Sequence, residues 1–96
     1  MAGRKLVAGN WKMHGTSQDI CEIQAVAEAA RKLDGRVDVA LCLPATLIHR
    51  ASEAVPGFPI GGQDMHHREK GAHTGDVCAA MLHDAGASVV IVGHSE

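Results

Sequence analysis

The sequence predicts an α/β fold of order βαβαβαβ with a parallel sheet. Four short β-rich runs alternate with three stretches whose apolar residues recur at helical spacing. Strands alternating with helices of this length imply right-handed parallel crossovers. The second β-rich run, residues 37–43, is apolar on both faces at most positions, as a strand covered on both sides should be.

The elements follow in order. The first strand covers residues 5–10. The first helix begins near Thr16 and Ser17, where a hydroxyl can cap exposed N–H groups, with Asp19 in the first turn. Ile20, Ile23, Ala27, Ala30 and Leu33 give it an apolar face, and Gly35 after Asp34 fits its stop. Strand two ends at Pro44. A second helix spans residues 45–55 and closes at Pro56-Gly57. The third strand spans residues 58–63, and a long polar loop, "DMHHREKGAHTGD", follows it. The third helix spans residues 77–85 and stops at Gly86, and the fourth strand spans residues 88–92.

The chain has 96 residues, room for one domain without an internal boundary. Its 46% apolar and 21% charged residues are those of a globular protein. The net charge of -2, with one Trp, one Phe and no Tyr, gives no electrostatic case for nucleic acid or an anionic membrane. No apolar run approaches membrane-spanning or signal-peptide length, so the expected compartment is the cytoplasm. Cys21, Cys42 and Cys78 are odd in number and widely spaced, which fits free, mostly buried thiols in a reducing compartment. The last strand lacks a following helix, and both terminal strands of an open sheet would expose unpaired edges. The expectation is a piece of something larger, molten, oligomeric or aggregation-prone if expressed alone.

Strand alternation puts Leu6, Ala8, Asn10 and Lys12 on one face, if strand geometry persists, and Val7 and Trp11 on the other. Asn10 and Lys12 then project at the C-terminal end of the strand, where parallel α/β folds bind ligands. An ammonium and an amide there suit a small anionic or carbonyl-bearing substrate. In "VVIVGHSE", Val90, Val92 and His94 fall on one face, and Ser95-Glu96 look like the start of a helix. A His beside a helix N-terminus is held neutral and can donate to a carbonyl oxygen where charge develops. Metal binding through His66, His67, His73 and His83 is rejected: the spacing frames no ligand pair, and adjacent His side chains should point apart. "GAHTG" lacks the ending of a phosphate-binding P-loop; a long loop of this kind is more often a lid or an interaction surface.

"GNWKMHG", "GAHTGD", "MLHDAGA" and "VIVGHSE" resemble the triosephosphate isomerase family, in the right order and at the right separations. The resemblance runs over essentially all 96 residues and implies the first half of a (β/α)8 barrel, whose full length is about 250 residues. It implies an isomerase that interconverts dihydroxyacetone phosphate and D-glyceraldehyde 3-phosphate through an enediolate, without a cofactor or metal. Asn10 and Lys12 would bind substrate, and Lys12 would stabilise phosphate and enediolate charge. His94 would polarise the carbonyl and shuttle protons, with Glu96 a supporting carboxylate. Most of residues 63–76 would form a homodimer interface centred on His73, Thr74, Gly75 and Asp76, with Thr74 reaching Asn10 of the partner subunit. His14 stands where the family often has Asn, and Asp76 where it often has Glu; both lie outside the proton-transfer set. The catalytic Glu base and the lid would lie beyond Glu96, so this stretch alone should be inactive. The competing expectations are another phosphate-sugar enzyme on a related barrel, which the Lys12 and His94 pair speaks against, and a non-catalytic open-sheet module that binds an anion or a second subunit.

Overall fold

A computed structural model describes residues 5–94. Its elements are β1 (Lys5–Asn10), a 3-10 turn (Ser17–Asp19), α1 (Ile20–Arg31), β2 (Val37–Cys42), α2 (Ala45–Ala54), β3 (Ile60–Gly62), α3 (Ala79–Ala85) and β4 (Val89–Val90). The four strands lie in chain order, β1-β2-β3-β4, and every pairing is parallel. The α/β class, the element order and the sheet direction therefore agree with the sequence reading.

The helix starts and stops have local causes. The Thr16 side chain accepts from the Gln18 N–H, and Asp19 accepts the Thr16 N–H at 2.8 Å, a reciprocal capping box. The cap opens a 3-10 turn, and α-helical geometry begins only at Ile20. Helix α1 ends at Arg31, before the expected stop, and successive turns carry the chain through Gly35 into β2. Helix α3 starts at Ala79, two residues later than the spacing suggests, because His66 and Cys78 form a parallel bridge that keeps 77–78 extended. Strands β3 and β4 are shorter than the apolar runs that contain them. Pro59 cannot donate to a ladder, and Gly93 has a φ of +68°, outside any strand.

One core lies between the sheet and the helices. Leu41, Leu43 and Ile60 from the sheet meet Ile23 and Ala27 of α1, Leu47, Ile48 and Ala51 of α2, and Leu82 of α3. Trp11, half-buried, packs against this cluster, which puts it on the helix-facing side as alternation requires. The opposite face carries a second, narrower layer. The registers Asn10↔Cys42, Cys42↔Gly61 and Gly61↔Val89 set four residues side by side across the sheet. A Cβ at Gly61 would lie 2.5 Å from Val89 Cγ2, 2.9 Å from Cys42 Sγ and 2.9 Å from the Val89 carbonyl oxygen. This position therefore has no room for a side chain, and the backbone oxygen cannot step aside.

Among the described residues both edges of the sheet are unpaired. Strand β1 is largely exposed, with Leu6 and Val7 each more than half accessible, and Val92 beyond β4 is 62% exposed. Gly61→Ala should lower stability by about 1–3 kcal/mol through overpacking, read as a fall in the urea midpoint at unchanged m-value. An unchanged midpoint would mean that the layer is looser than these distances imply.

Candidate functional site

Parallel strands put all their C-terminal ends at one rim, so the residues that follow β1, β2, β3 and β4 meet there. Asn10 closes β1, and its register partner Cys42 closes β2. The Cys42 carbonyl accepts two hydrogen bonds, from the Trp11 N–H at 3.0 Å and from Gln63 Nε2 at 3.1 Å. Gln63 Nε2 also donates to Asn10 Oδ1 at 3.1 Å, and the same oxygen accepts the Lys12 N–H at 2.8 Å. Three strand ends are thus tied through one carbonyl and one side-chain oxygen.

The placement of Lys12 corrects the alternation argument. Strand geometry stops at Asn10, and Lys12 sits in the left-handed region with φ +56°, the single described non-glycine residue with positive φ. A lysine in that region costs on the order of 1 kcal/mol. The Asn10 side chain compensates by accepting the Lys12 N–H in a tight local turn. Lys12 reaches the rim through this turn and not through the pleat. Met13 beyond it is fully exposed, and the His14 ring lies 5.7 Å from that of Trp11.

His94 follows β4 at the same rim but at the opposite edge of the sheet. Three strand spacings of about 4.8 Å separate the two edges along the sheet. The expectation that Val90, Val92 and His94 share a face does not hold as drawn. Strand β4 ends at Val90, the Ile91 N–H makes one more ladder bond to Gly62, and Gly93 in the left-handed region redirects the chain before His94. His94 is exposed. Glu96 and the expected helix start at Ser95 lie outside the described residues.

The loop between β3 and α3 is ordered by its own bonds. The His66 N–H donates to the Val77 carbonyl at 2.8 Å, and the Asp76 N–H donates to the His73 carbonyl at 2.9 Å, which sets Thr74 and Gly75 at the turn. Gly75, Asp76 and Val77 then return against Gln63, Asp64, Ala45 and Leu82 around a cleft of about 200 Å³. The rings of His66 and His67 stack at 4.5 Å, and those of His66 and His73 at 3.8 Å. Adjacent histidines therefore do not point apart here, contrary to expectation, because the backbone bends at His67, directly after the bridge at His66. Stacked rings present faces, not converging nitrogens, and among the described residues no three His, Cys, Asp or Glu side chains could hold a metal ion.

The Asn10 side chain meets the Lys12 N–H in a local turn, and Gln63 joins them. The sequence places Gln63 at the end of the third strand and in the expected interface 63–76, and its side chain joins the rim. The signal was present: Gln63 stands two residues after Gly61, hence on the face that Gly61 shares with Cys42 and, by register, Asn10.

The family model for triosephosphate isomerase matches residues 5–96. The chain belongs to the triosephosphate isomerase family. A triosephosphate isomerase of Ruegeria sp. (strain TM1040) is 54% identical over 93 residues, covering 97% of this chain and 37% of that protein. One from Hyphomonas neptunium is 53% identical over 95 residues, covering 97% and 38%. The crystal structure of triosephosphate isomerase from Bartonella henselae superposes with a TM-score of 0.88 at 44% identity, covering 96% of this chain and 38% of that one. The chain thus spans about 38% of the length of the relatives it matches, and its four-stranded sheet is the first half of a triosephosphate isomerase barrel.

Cysteines report on this rim. Cys42 is fully buried, and burial pushes its thiol pKa up, whereas Cys21 on α1 is exposed. A raised folded-state pKa favours the folded protein least once pH rises past the unfolded thiol value, so alkaline pH should loosen the layer around Cys42. Iodoacetamide at pH 8 should therefore alkylate Cys21 first and Cys42 only on unfolding, as read by peptide mass spectrometry. Equal rates at the two would contradict the packing described.

Proposed function

We propose that the full-length protein to which this chain contributes is a triose-phosphate isomerase. It interconverts dihydroxyacetone phosphate and D-glyceraldehyde 3-phosphate in glycolysis and gluconeogenesis. The observation that carries this reading is the family match over residues 5–96 together with the Asn10–Lys12 pair at the strand ends.

The chemistry needs two things from these residues. A proton leaves carbon, and negative charge gathers on the neighbouring carbonyl oxygen as the enediolate forms. The Lys12 ammonium, whose backbone is fixed by Asn10, supplies positive charge for the phosphate and for that oxygen. The His94 imidazole donates a hydrogen bond to the carbonyl oxygen and passes protons between the two oxygens. Glu96 supports this cluster. No cofactor or metal takes part in this scheme.

The carbon acid needs a carboxylate base, a Glu in the segment after Glu96. Without it the proton has no route, so the 96-residue chain alone is inactive. The loop 63–76, led by His73, Thr74, Gly75 and Asp76, is the homodimer contact, with Thr74 directed to Asn10 of the partner subunit. Its self-bonded turn and its exposed tip support that assignment. The expected compartment is the cytoplasm, and among the described residues no helix is long and apolar enough to cross a membrane.

The full-length protein should turn over dihydroxyacetone phosphate in a coupled assay, and Lys12→Met should lower kcat/KM at least about 100-fold. Phosphate binding without turnover would favour a non-catalytic anion-binding module instead. The purified 96-residue chain should show no turnover; rates near those of the full-length protein would refute its incompleteness.

A further inference from the structure

We propose that Gln63 is a positioning residue that sets the orientation of the Asn10 amide, and through it the backbone of Lys12, so that Asn10 offers its NH2 group to the substrate's oxygens. The inference rests on the functional reading above for the identity of that substrate.

Two backbone groups decide both amides. The Lys12 N–H can only donate, so the Asn10 atom 2.8 Å away is oxygen. The Cys42 carbonyl can only accept, so the Gln63 atom 3.1 Å away is nitrogen. That nitrogen then faces Asn10 Oδ1 at 3.1 Å as a donor, in agreement with the orientation that Lys12 demands. Asn10 Oδ1 is therefore occupied by two N–H groups on the protein side. Its Nδ2 is left as the group for a ligand at the rim, beside the Lys12 backbone. An anionic triose meets a donor there and not a lone pair.

Gln63 suits this task because one NH2 spans two strand ends. Its anchor, the Cys42 carbonyl, belongs to β2, and its object, Asn10, to β1. Gln63 itself follows β3 directly, so the orientation of a β1 side chain is set from a third strand. Removing the Gln63 amide leaves Asn10 with the Lys12 bond alone, and Lys12 keeps its left-handed backbone with one restraint fewer.

The test is a double-mutant cycle in the full-length protein, with Gln63→Met, Asn10→Ala and the double variant. Gln63→Met should lower kcat/KM about 30-fold, the worth of two neutral hydrogen bonds, with KM for dihydroxyacetone phosphate carrying most of the change. In the Asn10→Ala background the same substitution should have an effect under 3-fold, because its target is gone. A packing role would lower activity equally in both backgrounds, and additive effects overturn the proposal, as does a single variant that matches wild type. Should Gln63→Met fail to fold, Gln63→Glu, close to Gln in shape but unable to donate when ionised, takes its place in the cycle with the same two outcomes. If the wild-type protein does not turn over the triose phosphate, the functional reading fails. The amide inference is then judged from a crystal structure of the variant: an Asn10 side chain and Lys12 φ unchanged overturn it, and a displaced Asn10 amide supports it.

Discussion

Strand direction is the constraint on which the rest depends. Because every strand is parallel, all four C-terminal ends lie at one rim, and residues separated by up to 84 positions, Asn10 and His94, belong to the same end of the sheet. Register then sets what can stand there. The row Asn10, Cys42, Gly61, Val89 is one residue deep, and the missing side chain at Gly61 lets Cys42 and Val89 close over it. A sheet packed this tightly beneath its polar rim fixes the strand ends, and fixed strand ends make short side chains such as Asn10 and Gln63 useful as spacers.

At the rim the order of energies is informative. The left-handed backbone of Lys12 is unfavourable by about 1 kcal/mol, and a neutral hydrogen bond contributes about the same. One bond from the Lys12 N–H to Asn10 thus roughly cancels the strain and does no more. The second bond on Asn10 Oδ1, from Gln63, tips that balance. The lysine is held in a conformation its own chain would not choose, by a neighbour two residues away and a glutamine from another strand. Such strain is typical of places where a charge must be aimed.

The fold was legible in the sequence to the extent that it is written in periodicity. Helical spacing from Ile20 and the stop at Gly86 mark helices that form there, while the Thr16 cap opens a 3-10 turn ahead of the first. Boundaries were less legible where long-range pairing decides them. Val77 and Cys78 read as helix because their composition allows it, yet the bridge to His66 keeps them extended. At the site, Asn10 and Lys12 were legible as residues but not in their geometry, since alternation cannot anticipate a positive φ. Gln63 was missed because its partner is 53 residues away, a contact visible only once β1, β2 and β3 are in register.

The open edges of the described sheet and the composition of its rim are linked by closure. Strand β1 leaves Leu6 and Val7 exposed, and Val92 lies bare after β4, so the sheet has two unpaired borders. Closing a barrel removes both borders at once. In a (β/α)8 barrel the strands that complete the ring also end at the rim. Residues that follow those strands stand at the same rim as Asn10, Lys12 and His94. The strands that would satisfy the backbone of this half-sheet are therefore strands that also end at its rim, so closing the barrel and furnishing the rim are one structural event.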